Sequence, residues 1–273
     1  MSRLPPPPST AGAQTASRAF TLLELLVVIA LIAVLAALLL PAFRSAKLQS
    51  YSVRSSQNLR QLVTANIAYA ADQGFYAPAD NKSNNRRWCA GRTSVGARFD
   101  PTKGFLAPYL GSTGAVLACP LFTDMLHGAQ SFEEGNGGYG YNAAYIGGTA
   151  SGTYNSDGTR LSATPAQIAH PALTLMFATT AFARAEGVQE YPFAEPPFWV
   201  TASGITSGRG SPTVHFRFQG RAIVGWCDGH ISMETKGARN AGANPYGGDP
   251  DAQNLGWFGP DEANGYWNPD REP

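Results

Sequence analysis

The sequence predicts an α+β protein in which a long hydrophobic N-terminal helix packs on a globular domain built around an antiparallel β-sheet. Three observations predict this fold: an apolar run over 20–40, an amphipathic stretch that continues to about residue 73, and a remainder rich in Gly and Pro with short β-type segments. We expect a leader over 1–19, a long helix able to span a membrane over 20–73 and a β-rich domain over 74–273. The last part is long enough for one core of ordinary size.

The first two elements are a leader and an anchor. Residues 1–19 are rich in Pro, Ser, Ala and Thr, and Arg3 and Arg18 are their only charged side chains. No periodic apolar face occurs there, which is typical of a leader. The run from Phe20 to Leu40 would extend about 30 Å as a helix, the thickness of the hydrocarbon layer of a bilayer. It is longer than the apolar region of a secretory signal and no small-residue cut site follows it, so we expect it to remain as an anchor.

The helix is predicted to continue beyond the anchor. From Ala42 to about Gln73, apolar residues recur mostly at intervals of three and four, which is the pattern of an amphipathic helix. Pro41 removes one backbone hydrogen bond, so a kink is expected near it unless neighbours relieve it. The helix should end near Asp72, Gln73 and Gly74. The residues of the apolar face are Leu48, Leu59, Leu62, Val63, Ala65, Ile67 and Ala70.

Beyond Phe75 the chain is predicted to form short strands and loops, with one weakly periodic stretch over 104–110. A meander of three strands is the clearest prediction, with tight turns at Gln219-Gly220 and Asp228-Gly229 where glycine permits a positive φ. The tail over 247–273 is predicted to be a packed irregular loop. The predicted strands are Ala115–Ala118, Leu173–Phe177, Thr213–Phe218, Arg221–Cys227 and His230–Glu234.

Composition excludes some functions. The formal charge is +1 and no Lys/Arg block occurs, so the chain lacks the clustered basic face that binds nucleic acid. The sequence has no GxSxG, HExxH, Walker A or SxxK motif, so the usual enzyme signatures are absent and we expect a protein that is not an enzyme.

The three cysteines, Cys89, Cys119 and Cys227, are far apart in sequence and form no CxxC pair. Neither a zinc ribbon nor a thioredoxin-type site is therefore predicted. One internal disulfide, in any of three pairings, and three buried thiols are both compatible with the sequence.

Glu24 is the one acid within the apolar run. An ionised side chain at the centre of a spanning helix costs roughly 2.5 to 3.5 kcal/mol, so such an acid normally has a partner or a task. The alternative is that Glu24 lies at the membrane interface near the helix N-terminus, where the helix dipole favours a negative charge and nothing further is implied.

The segment from Ser17 to Glu24, SRAFTLLE, resembles the type III signal of type IV prepilins and type II secretion pseudopilins. In that signal a basic leader ends in a small residue, Phe follows, and the fifth residue of the mature chain is Glu. The resemblance implies that a prepilin peptidase cuts between Ala19 and Phe20 and methylates the amine of Phe20. The family usually has Gly where this chain has Ala19. The resemblance also implies that Glu24 pairs with the amine of a neighbouring subunit.

The charges flanking the anchor favour the opposite orientation to the one that this signal implies. Arg44, Lys47, Arg54 and Arg60 follow the span and outnumber the basic groups of the leader. The positive-inside rule alone would place the downstream side in the cytoplasm. We give the signal more weight than this count, because the rule is statistical and basic residues are common on the exposed half of the long helix in pilin-like proteins.

Further segments are similar to large-domain pilin-like proteins common in planctomycete and verrucomicrobial bacteria. One is the helix signature over 57–62 with Tyr69, and a second is Tyr109-Leu110-Gly111 with Cys119-Pro120. A third is the aromatic segment over 139–142, and a fourth runs from Gly220 to His230. In the last segment the family has a His separated by nine residues from the Asp-Gly pair, where this chain has Phe218.

Other candidate sites have alternative explanations. His215, Asp228 and His230 are residue types that often bind metals. A hairpin turn, and a strand with Phe216 and Phe218 on its other face, explain them better.

Asp249, Asp251, Asp261 and Glu262 are candidates for a calcium site. A solvated acidic loop is favoured, and their spacing is not that of an EF-hand. Trp257, Phe258, Tyr266 and Trp267 form either an exposed platform or the cover of a core.

The sequence thus favours a structural subunit of a type II secretion pseudopilus or type IV pilus, with no cofactor required. Its expected partners are a prepilin peptidase, other pilins, an assembly platform and the membrane, but not nucleic acid. It is expected in a bacterial inner membrane, crossing it once with the globular domain in the periplasm, and then in a filament. The alternatives are a membrane-tethered module that binds a surface glycan and a tethered hydrolase with an unrecognised site.

Overall fold

The computed structural model describes residues 20–126, 133–148, 152–237, 244 and 247–271. The predicted leader over 1–19, including Ala19, lies outside these ranges. The chain divides into two compact units at Lys47 and Leu48. A long helix contributes to both units, and all strands belong to the second one.

Helix α1 extends over Leu22–Gln73 and is continuous across Pro41. In residues 20–47 every side chain is exposed, and this part of the helix is long and apolar enough to cross a membrane. The end of the helix is where the sequence predicts it, because Gly74 has a φ of +83° and its N–H donates to the carbonyl of Ala70 at 2.9 Å. The kink at Pro41 stays a prediction.

The second half of α1 is amphipathic, as predicted. Its buried positions recur at helical spacing, so one face of the helix joins the core of the globular domain. Ile67, predicted on this face, is instead 37% exposed. The buried residues are Ser55, Leu59, Leu62, Val63, Ala65, Asn66 and Ala70.

Within the described residues, the globular domain contains ten strands and one short further α-helix, α2, over Pro120–Met125. The central sheet has the order β1-β2-β8-β9 and is antiparallel throughout. This confirms the α+β prediction. The strands are β1 Tyr139–Tyr141, β2 Leu175–Thr179, β3 Phe182–Arg184, β4 Gly187–Gln189, β5 Phe198–Thr201, β6 Gly204–Arg209, β7 Val214–His215, β8 Arg221–Trp226, β9 Ile231–Thr235 and β10 Leu255–Gly256.

The predicted meander is half right. Strands β8 and β9 pair across the Asp228-Gly229 turn, in which Gly229 has a φ of +97°. The turn at Gln219-Gly220 is also present, since Phe218 and Arg221 exchange backbone hydrogen bonds of 3.0 and 3.1 Å. The first predicted strand is shorter in the structure, and its predicted pairing with β8 is wrong. Strand β7 covers only Val214–His215 and pairs with β10, because β2 and β9 occupy the two edges of β8.

Two other predicted strands differ from the structure. The segment Leu173–Phe177 begins as a 3₁₀ turn over Pro171–Leu173, and strand β2 starts at Leu175. Residues 115–118 form no strand, because the side chain of Asn58 in α1 donates to the carbonyls of Leu117 and Ala118 at 3.2 and 3.1 Å. The weakly periodic stretch over 104–110 contains a 3₁₀ helix at Ala107–Tyr109.

Both faces of the central sheet are buried. Ile223 in β8 belongs to a core cluster shared with Leu59, Leu62 and Val63 of α1. The alternate residues of β8 belong to a second cluster with the C-terminal tail, as the period of two in a strand requires. These residues are Ala222, Val224 and Trp226, and their partners in the tail are Trp257, Phe258 and Trp267.

Candidate functional site at the N-terminal end of the helix

The N-terminal end of α1 is closed by a reciprocal pair of contacts between Thr21 and Glu24. The backbone N–H and the hydroxyl of Thr21 both donate to Oε2 of Glu24 at 2.9 Å. In return the N–H of Glu24 donates to the Thr21 hydroxyl at 3.2 Å. This is a capping box, in which residues at the cap and three positions later satisfy each other's N–H groups. It orients the carboxylate toward the start of the helix.

The sequence carried a signal for this contact, because Thr-x-x-Glu before an apolar run is the pattern of a capping box. Sequence reasoning placed Glu24 correctly at the helix N-terminus but did not identify Thr21. The local contact agrees with the simpler of the two interpretations of Glu24, in which the acid serves its own helix. The pairing of Glu24 with an amine of another subunit stays a prediction.

Phe20 precedes the cap and is 71% exposed. Ala19, the predicted residue on the other side of the cut, lies outside the described residues. From Phe20 to Lys47 no side chain of the described chain is covered. Apolar surface of this extent is stable only in a lipid phase or against other apolar surfaces, so this half of the helix requires an apolar environment that the described residues do not supply.

The segments that carried the wider resemblance meet where α1 packs on the domain. The Ser55 hydroxyl lies 3.1 Å from Sγ of Cys119, and the Tyr139 hydroxyl donates to the Ser55 carbonyl at 3.3 Å. In the same segment, Asn142 donates through Nδ2 to the carbonyls of Leu175 and Trp267. Each of these contacts joins two elements of the domain, which is a structural role.

The structure does not assemble the candidate metal ligands His215, Asp228 and His230. Asp228 and His230 contact each other at 2.6 Å within the hairpin turn, whereas His215 is buried with its ring against Phe122. Phe216 and Phe218 belong to different core clusters, so their predicted common face is wrong. Within the described ranges, no three His, Cys, Asp or Glu side chains are placed to hold a metal ion.

The acidic residues of the tail contact separate partners. Asp249 accepts the N–H groups of Asp251 and Ala252 through Oδ1. Asp251 pairs with Lys236 at 2.6 Å, and Asp261 pairs with Arg209 at 2.7 Å. Calcium binding by Asp249, Asp251 and Asp261 is not tested by these contacts and stays a prediction.

The cysteines and the aromatic tail belong to the interior. Cys89, Cys119 and Cys227 are free thiols and all three are buried, which is the second of the two states that the sequence left open. Trp257, Phe258 and Trp267 are almost fully buried, and Tyr266 packs beside them. They cover the second core cluster, so they form no exposed platform.

The globular domain also has a polar cavity that the sequence does not predict. Its volume is about 300 Å³. Asp80, Arg160, Glu195 and Trp199 contribute to its wall from segments that are far apart in the chain. No local motif joins these residues, so only the fold brings them together.

Comparison with known proteins identifies the N-terminal segment. The Prokaryotic N-terminal methylation motif matches residues 15–40, which include the predicted cut site, Glu24 and the apolar run. No curated protein and no solved structure matches the chain. The chain therefore carries a type IV pilin-type methylation signal at the start of a long apolar helix that can anchor it in a membrane.

Proposed function

We propose that this protein is a structural subunit of a type II secretion pseudopilus or a type IV pilus. The observation that carries the proposal is the methylation signal over 15–40, placed directly on a helix half with no covered side chain. A signal of this kind is similar to those that a prepilin peptidase cuts and methylates. The cut falls between Ala19 and Phe20, and the new amine of Phe20 is methylated.

Assembly uses the apolar half of α1. In the bilayer, lipid covers residues 20–47; in the filament, the same surface packs on the helices of neighbouring subunits. Glu24 then neutralises the amine of Phe20 on the adjacent subunit. A charge pair in an apolar helix bundle fixes the axial position of one helix against the next, because any shift leaves both charges without a partner.

The role of the globular domain is mechanical in this proposal. The protein is not an enzyme, and its partners are a prepilin peptidase, other pilins and an assembly platform in the inner membrane. The domain over 74–273 lies on the periplasmic side. The contacts of Asn58, Ser55 and Asn66 with the globular part support attachment of the second half of the helix to the domain.

Mass spectrometry of the native N-terminus tests the proposal. We expect a chain that begins with N-methylated Phe20 when a prepilin peptidase is present, and an intact leader when the peptidase gene is deleted. A mature chain that begins at Met1, or one cut beyond Leu40, contradicts the proposal. Ala19→Gly is the matched variant, since it restores the residue usual in such signals and should be processed at least as well.

A further inference from the structure

We propose that the polar cavity of the globular domain binds a saccharide. The cavity has a volume of about 300 Å³, at the small end of the range for ligand sites. This inference goes beyond the assembly function and does not depend on it. The side chains that carry the argument are those of Asp80, Arg160, Tyr191, Glu195 and Trp199.

A fixed charge pair forms one wall of the cavity. Nε of Arg160 donates to Oδ1 of Asp80 at 2.8 Å, and the Tyr154 hydroxyl donates to the same oxygen at 3.4 Å. Arg160 also donates through Nη2 to the Tyr154 hydroxyl at 3.1 Å and through Nη1 to the Ala143 carbonyl. The guanidinium is thus held in place before any ligand arrives, which reduces the entropy lost on binding.

Glu195 supplies a second carboxylate at the cavity. Its Oε1 accepts a hydrogen bond of 2.6 Å from the hydroxyl of Tyr191, another residue of the wall. Its backbone is held at both polar groups, because its N–H donates to the Thr213 hydroxyl and its carbonyl accepts from the indole of Trp257. Burial raises the pKa of both Glu195 and Asp80, as expected for acids that line an enclosed space.

Trp199 provides an apolar surface at the same cavity. The other four tryptophans of the chain, Trp88, Trp226, Trp257 and Trp267, are at most 4% exposed, whereas Trp199 is 46% exposed. It lies in β5, whose partner β6 presents Ile205 opposite Val200. An exposed indole beside polar groups offers a face for stacking, and aromatic residues of this kind dominate binding energies.

Saccharides fit this combination of groups. A pyranose has hydroxyl groups that both donate and accept, and an apolar face of C–H groups that stacks on an indole. The carboxylates and the phenol oxygen of Tyr191 accept, the N–H groups of Arg160 that have no partner in the wall donate, and Trp199 supplies the stacking surface. An apolar ligand would cover the remaining lone pairs of the Glu195 carboxylate and the remaining N–H groups of Arg160 without offering them hydrogen bonds, which is unfavourable. Asp80 already neutralises Arg160, so the cavity offers no unopposed cation for an anionic ligand.

A glycan array probed with the full-length protein tests this proposal. The protein is kept in a zwitterionic detergent, because detergents with sugar head groups would occupy the cavity. Glycans that bind are then titrated by calorimetry. We expect specific binding, weakened by about tenfold or more in Trp199→Ala. Glu195→Gln, which preserves side-chain volume, should also weaken binding because the amide has one acceptor where the carboxylate has two.

Ile205→Ala is the matched control, since it truncates an exposed side chain on the strand paired with β5. Near-UV circular dichroism checks that each variant is folded. The proposal is overturned if the wild-type protein binds no glycan, if Trp199→Ala and Glu195→Gln both bind as tightly as wild type, or if Ile205→Ala loses as much affinity as Trp199→Ala. These readings use unassembled protein, so they are independent of processing and filament formation.

Discussion

Asn66 and Tyr141 join the helix to the central sheet. Nδ2 of Asn66 donates to the hydroxyl of Tyr141 at 3.0 Å, while Oδ1 accepts the N–H of Ala77 at 2.8 Å. Asn66 and Tyr141 are both fully buried, and the Tyr141 ring stacks on Phe177 with centroids 4.6 Å apart. One amide of the helix therefore satisfies a polar group of the segment that follows it and one of the sheet.

Asn66→Ala should lower the free energy of unfolding by about 2 to 3 kcal/mol, because it leaves the Tyr141 hydroxyl and the Ala77 N–H buried without this partner. Denaturant titration followed by tryptophan fluorescence measures the change. Gln61→Ala, on the exposed side of the same helix, is the control and should change stability by less than about 0.5 kcal/mol. Equal effects of the two variants would contradict the assigned role of Asn66.

Gly225 permits the close approach of α1 to the sheet. A Cβ at this position would lie 2.6 Å from Cγ2 of Val63. Gly225→Ala should therefore destabilise the domain by about 1 to 3 kcal/mol, whereas Gly96→Ala, with no atom within 4 Å of the added Cβ, should not. In a double-mutant cycle, Val63→Ala should relieve part of the penalty. Strictly additive effects would show that Val63 is not the obstacle.

Two variants at the helix N-terminus separate capping from pairing between subunits. Thr21→Ala removes the local hydroxyl contact of Glu24 and should cost about 1 kcal/mol of capping energy while leaving filament incorporation intact. Glu24→Gln should reduce incorporation to background, because the amide cannot neutralise a neighbouring amine. Incorporation is measured in sheared filaments and processing by mass spectrometry. If Thr21→Ala and Glu24→Gln are incorporated into filaments to the same extent, Glu24 acts only as part of the capping box.

The three thiols should be unreactive in the folded protein. Burial raises the pKa of Cys89 to about 12, and burial also raises the pKa of Cys227. Since the thiolate is the reactive form, a thiol reagent at about pH 8 should modify no cysteine before unfolding and three after it. Reductant should leave the unfolding midpoint unchanged. A mass that rises by two hydrogens on reduction would show a disulfide and contradict this prediction.

His215 should make the domain sensitive to acid. Burial, with a smaller contribution from Arg217, holds the pKa of His215 well below its usual value of 6.5. The unfolded chain thus binds a proton as pH falls through about 6.5, but the folded chain does not. The free energy of unfolding should fall with pH below that value. His215→Gln should show a flatter profile of unfolding free energy against pH than wild type between about pH 6.5 and 5, measured by denaturant titration at each pH.

The sequence predicted correctly those elements of the fold that neighbouring residues determine. The end of α1 at Gly74 and the turns at Gln219-Gly220 and Asp228-Gly229 depend on nearby residues and on the positive φ that they permit. The partner of β7 depends on competition for the edges of β8, which no window of sequence contains. Residues 115–118 have strand composition, yet the side chain of Asn58 in α1 donates hydrogen bonds to two of their carbonyl groups.

The same distinction applies to function. The methylation signal and Glu24 lie in one short segment, so the sequence alone was sufficient to predict them. The cavity joins residues 80, 160 and 195, which no spacing rule connects. The pattern Thr-x-x-Glu lies in the same segment and indicates the contact between Thr21 and Glu24.

The uncovered half of α1 also restricts the route by which the protein can travel. With no side chain sheltered between Phe20 and Lys47, a subunit released into water would expose an apolar rod and aggregate. In the proposed assembly, a subunit therefore passes directly from the bilayer into the filament, and the growing end of the filament lies at the membrane. Disassembly would return the helix to lipid by the same path, so the proposed filament grows and shrinks at its base.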